Sequence, residues 1–171
     1  MHPRLRKIRA MRRLRRVFKI GRLSKDERGV QLVELAIVLP IFVILFAATA
    51  EFGRYFYEYT TLAKASRAAT RYLATAAVNS ANDTTAKNIV VYGNAAGTGS
   101  PVLPGMTTAN VTITRQGGVP VLPQTVKVEI TSFKHQPLFD LGALLKVPSL
   151  SLNVDVKPSV TMRYLLTQPP V

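Results

Sequence analysis

The 171-residue chain has no cysteine, two histidines, and only nine acidic residues against 23 basic ones. The lack of cysteine excludes a disulfide framework and any thiolate metal site, and leaves the redox compartment open. With so few histidines and acids the chain has no HExxH pair, no GxSxG elbow and no carboxylate pair at a catalytic spacing. The Gly-rich piece GNAAGTGS lacks a GK[ST] continuation and a following helix, which excludes a phosphate-binding loop. His135 and Asp140 can be imagined as an acid–base pair, yet a lone histidine in a loop reads as a surface residue. No catalytic, metal-binding or cofactor-binding residue is therefore assigned. We expect neither enzymatic activity nor a cofactor nor a small-molecule substrate.

The net charge of +14 would point to nucleic acid if it were spread over a fold. It is not spread. Arg4, Arg6, Lys7, Arg9, Arg12, Arg13, Arg15, Arg16, Lys19, Arg22, Lys25 and Arg28 face only Asp26 and Glu27, and the rest of the chain carries eleven basic and seven acidic residues. Leu5, Ile8, Met11, Leu14 and Val17 recur every three residues, so the apolar stripe drifts around a helix and makes no clean face. No aromatic platform beyond Phe18 accompanies the basic arm, and nucleic acid is not an expected partner.

The segment after the leader explains it. From Leu35 to Ala50 no residue is charged, and extension back to Val30 adds only Glu34. At about 1.5 Å per residue this run spans ~30 Å, the thickness of a bilayer's hydrocarbon core. Residues 1–29 thus read as a basic cytoplasmic leader and residues 30–50 as a transmembrane helix. The positive-inside rule sends everything after it across the membrane. A core helix of a soluble protein is the competing reading. Glu34 is costly inside lipid and marks a functional position, or else it reaches water at the near face. Pro40 removes a backbone hydrogen bond and should kink the helix, whereas Ala47, Ala48, Ala50 and Gly53 allow close helix approach.

Gly29 separates the charged leader from the apolar run and stands five residues before Glu34, in KDERG–VQLVE–LAIVLP. This pattern resembles the TadE-like family, the pseudopilins of tight-adherence (Flp, type IVc) pilus systems, which are similar to type IV prepilins. The resemblance extends to EFGR at 51–54, AATRY at 68–72 and VTMRY at 160–164. It implies cleavage by a prepilin peptidase between Gly29 and Val30. It also implies that Glu34 pairs with the new amine of Val30 in a neighbouring subunit or serves subunit recognition. The implied partners are inner-membrane lipid, the prepilin peptidase, other pilins or pseudopilins and the assembly machinery. The implied location is a single-pass inner-membrane protein with a periplasmic head, which could also enter pili. One departure stands at Leu35, where members often carry an aromatic residue. Two rival fates exist: release by signal peptidase after Ala48-Thr49-Ala50, and an uncleaved anchor whose exported domain binds a ligand or envelope component without entering a pilus.

Residues 51–78 hold no proline, and Phe52, Tyr55, Phe56, Tyr59, Ala63, Ser66, Thr70 and Leu73 recur at helical steps, so the helix is expected to continue to Val78. Phe52, Tyr55, Phe56, Tyr57 and Tyr59 read as an interfacial belt or as packing under a head domain. Arg54 and Glu58 form an i,i+4 pair. Residues 79–171 read as the head. A long loop with one short strand at Ile89–Tyr92 precedes four alternating segments: Val111/Ile113, Val126/Val128/Ile130, Leu150/Leu152/Val154/Val156 and Val160/Met162/Tyr164. Residues 137–148 read as a short helical or looped crossover, Lys157-Pro158-Ser159 as the turn of a last hairpin, and the end as a loose tail. The expected architecture is α+β and type IV pilin-like, a long N-terminal helix packed on a small antiparallel sheet.

The favoured cleavage predicts that membrane-extracted protein gives an intact mass for a chain beginning at Val30. A soluble protein beginning at Glu51 would contradict it.

Overall fold

The structure, a computed structural model, describes residues 27–167. The readings of the basic leader and of the C-terminal tail fall wholly or mainly outside these residues. Helix α1 (Glu27–Ala74) runs through Pro40, and the chain divides into two compact units between Leu45 and Phe46.

In the first unit the described residues are all helical, and Val30, Leu32, Val33, Leu35, Ile37, Leu39, Ile41, Phe42 and Val43 are more than half exposed. The helix contains a stretch long and apolar enough to cross a membrane, and none of that stretch is buried. A core helix of a soluble protein would bury it, so the core-helix reading gives way to a single-pass membrane anchor.

The second unit is an α+β head built on the later part of α1. Its face toward the core carries Glu51, Tyr55, Glu58, Leu62, Ser66, Ala69, Thr70 and Leu73, spaced by three and four residues. Strands β1 (Val111–Gln116), β2 (Thr125–Ile130) and β3 (Ser159–Arg163) form one antiparallel sheet in that order. Pairing Val128 with Ile113 and Val160, and Val126 with Met162, stacks the apolar side chains on one face. Val126, Val128 and Ile130 are fully buried in a common core with Leu62, Ala69 and Leu73. Thr70 Oγ1 donates to Ser66 O at 2.6 Å and lies 3.5 Å from Val160 O on β3. After β3 the chain crosses back to the end of α1, where Leu165 N donates to Ala74 O and Tyr164 Oη to Ala76 O.

Two expectations are corrected here. Ile89–Tyr92 belongs to helix α2 (Ser80–Tyr92) and not to a strand. The β-branched run favours extended backbone, but both helix ends are capped. Asn79 Oδ1 accepts from Asn82 N, and Gly93 takes the left-handed conformation at φ 72° and donates to Ile89 O. Ala86, Val90 and Val91 then reach the core. The 150–156 segment is not a strand of the sheet and does not form a hairpin with β3. Leu150 and Val154 are exposed, and only Val156 is fully buried. This segment pairs locally with the chain before it, through His135 N to Val154 O and Val156 N to Phe133 O, while β2 takes β3 on its open edge. The 137–148 segment does hold a short helix, α3 (Leu141–Leu145).

Candidate functional site

The residues singled out for processing and assembly all lie on α1. Gly29, Val30 and Glu34 are exposed, and Val30 and Glu34, four residues apart, share one helix face. Pro40 and Ala50 are exposed, and Ala47 and Ala48 are half-buried. A Cβ added to Gly53 would meet no atom within 4 Å. Gly53 therefore serves no close approach among the described residues, and the surface it leaves is open.

A second group was not anticipated. Glu51 and Glu58 lie two helical turns apart on the core-facing side of α1, and His135 is inserted between them, fully buried. His135 Nδ1 lies 2.8 Å from Glu58 Oε2 and Nε2 lies 3.3 Å from Glu51 Oε2. Carboxylate oxygens only accept, so both contacts are hydrogen bonds at once only when the ring carries both protons. The Tyr55 ring meets the imidazole edge-on, with centroids 5.8 Å apart. Arg54 reaches both acids, at 3.1 Å to Glu51 and 4.0 Å to Glu58. Glu51 Oε1 additionally accepts the backbone N–H groups of Leu138 and Phe139, at 2.9 and 3.0 Å.

These contacts clamp the 132–139 loop onto the helix. Burial pushes the Glu51 carboxyl upward. Hydrogen bonds from Phe139 N–H, from His135 and from Leu138 N–H, with the Arg54 charge, outweigh that and hold it below the ordinary carboxylate range. Both ring nitrogens of His135 are occupied, and Asp140 is committed elsewhere, capping α3 and accepting from Ser151 Oγ. The imagined His135–Asp140 pair is therefore replaced by a structural clamp. Beside it a cavity of about 690 Å³ is lined in part by Arg54, Glu58, Lys134 and Gln136, and its two α1 side chains are already engaged. The available signal in the sequence was two acids seven residues apart on an otherwise apolar helical stripe.

The comparison that matches falls on α1. Residues 29–71 match the family model described as TadE-like protein. The matched TadE-like segment begins at Gly29, contains Glu34, Pro40 and both clamp carboxylates, and ends one residue before Tyr72. With the unburied apolar helix, the match fits a membrane protein associated with tight-adherence pili. Comparison with curated proteins and with solved structures gives no match.

The carboxylate of Glu51 stabilises the fold in its charged form. That contribution is present above the ordinary glutamate value of about 4.3 and is lost as pH falls through the lower folded-state value. In detergent-solubilised protein, the midpoint of denaturant unfolding should drop on acidification more steeply for the wild type than for Glu51→Gln. His135→Ala, which takes the imidazole from buried Glu51 and half-buried Glu58, should cost about 3 kcal/mol at neutral pH.

Proposed function

We propose that the chain is a pseudopilin-like subunit required for assembly of tight-adherence pili, synthesised with a cytoplasmic basic leader and anchored in the inner membrane with its head in the periplasm. A prepilin peptidase cuts between Gly29 and Val30. The new helix then begins at Val30, with Glu34 available to meet the free amine of a neighbouring subunit. The reading is supported above all by one coincidence: the TadE-like match starts at Gly29, where the charged leader gives way to the unburied apolar helix.

Each part has a physical reason. Glycine at the cut presents no side chain to a peptidase. A carboxylate four residues after the new terminus is costly in lipid alone, and an ammonium partner in the next subunit offsets that cost. The small residues Ala47, Ala48, Ala50 and Gly53 permit helices of adjacent subunits to approach near the outer face. The head covers the later part of the helix with its sheet, and the exposed apolar side chains of the first unit suit lipid and neighbouring helices.

Replacing Gly29 with leucine should leave an uncut, full-length protein in the membrane and abolish pili. Glu34→Leu should permit cutting and still impair assembly. Normal pili from a strain carrying only the uncut Gly29→Leu protein would refute the reading and favour an anchored domain outside the pilus.

A further inference from the structure

The segment after the clamped loop buries little of the apolar surface it carries. Leu138 is 82% exposed, Leu144 58%, Leu150 46% and Val147 41%. Polar contacts fold it instead. Asp140 Oδ1 accepts from Gly142 N and Ala143 N, its Oδ2 accepts from Ser151 Oγ, and Val147 N donates to Gly142 O. The two limbs touch so closely that a Cβ on Gly142 would lie 2.6 Å from Ser151 N. Residues 138–151 thus form a knob with polar contacts inside and Leu138, Leu144, Val147 and Leu150 outside, the reverse of a segment meant for water.

The place of this knob says what covers it. Its first two amides, Leu138 N and Phe139 N, are bound by Glu51, and Glu51 directly follows Ala50, the last residue of the uncharged run. At about 1.5 Å per helical residue the attachment lies within one turn of the end of that run. The headgroup layer adds about 5–8 Å beyond the hydrocarbon on each side. Phe46, Phe52, Phe56 and Tyr57, all more than half exposed, flank the same level of α1, as aromatic side chains do at a membrane interface. Lys146, exposed among the leucines, supplies a cation for lipid phosphate on a stem that tolerates acyl chains.

We propose that the 138–151 knob is an interfacial membrane contact, with Leu138, Leu144, Val147 and Leu150 seated in the headgroup–acyl boundary of the phospholipid leaflet into which α1 emerges. It rests on the membrane-anchor reading of α1. The head is then held to the bilayer at two points, the helix and the knob, and Glu51 joins them.

The chain has no cysteine, so single cysteines can be labelled uniquely. Full-length protein with Leu144→Cys, Val147→Cys, Val121→Cys or Val43→Cys, each carrying an environment-sensitive fluorophore, is placed in nanodiscs of phosphatidylcholine and phosphatidylglycerol, where solutes reach both faces. Labels at 144 and 147 should be quenched several-fold more by nitroxide lipids than the label at 121, in the turn between β1 and β2, and should be shielded from aqueous iodide. If 144 and 147 respond to iodide as 121 does while 43 is quenched by lipid, the anchor stands and the knob proposal falls. Shielding of 144 and 147 from both quenchers, the mark of a neighbouring protein copy, overturns it as well. If 43 escapes the lipid quencher, the anchor reading fails and the proposal fails with it.

Discussion

The course of the chain after β2 depends on how a fully buried imidazole is held against two glutamates of one helix. Burying a charge is expensive unless it is paired and hydrogen-bonded. His135, Glu51, Glu58 and Arg54 meet that condition together, with two backbone amides as additional donors to Glu51. The clamp fixes the 132–139 loop on α1. Through that loop it sets where β2 ends, where the 154–156 segment pairs back, and where the knob of α3 stands. An apolar contact could supply similar burial energy, but it would not define the position of the loop to within a hydrogen bond.

This explains how so few acids are used. Of the acidic residues beyond the leader, Glu51 and Glu58 hold the loop, Asp140 caps α3 and ties it to Ser151, and Asp83 on α2 pairs with Arg115 on β1. Glu34 stands apart, exposed in the apolar unit with no packing role that the structure gives it. The assembly reading assigns it a partner in another subunit.

The long helix, the anchor and three strands were legible because each carries a sustained period. The apolar run of 30–50 has only one charged interruption, Glu34, and the β2 alternation at Val126, Val128 and Ile130 is a face that is wholly buried. Helix α2 was hidden because Ile89-Val90-Val91 carries strand propensity, whereas its helical signal lies in single capping residues at Asn79 and Gly93. The alternation at Leu150–Val156 misled because its period is that of a strand while only Val156 of its four apolar side chains is buried. His135 was invisible for a different reason. Its partners lie 77 and 84 residues away in sequence, and no local pattern records a contact between a loop and a helix. A seven-residue spacing puts both glutamates on one helix face, but it carries no sign of the histidine that enters between them.

The claim that this clamp organises the head is tested most directly by a double-mutant cycle between Glu51 and His135, using Glu51→Gln, His135→Phe and the double variant, with unfolding free energies measured at neutral pH. A coupling free energy of about 1–3 kcal/mol, the range for contacting charged groups, is the predicted result. Strictly additive losses would contradict the account.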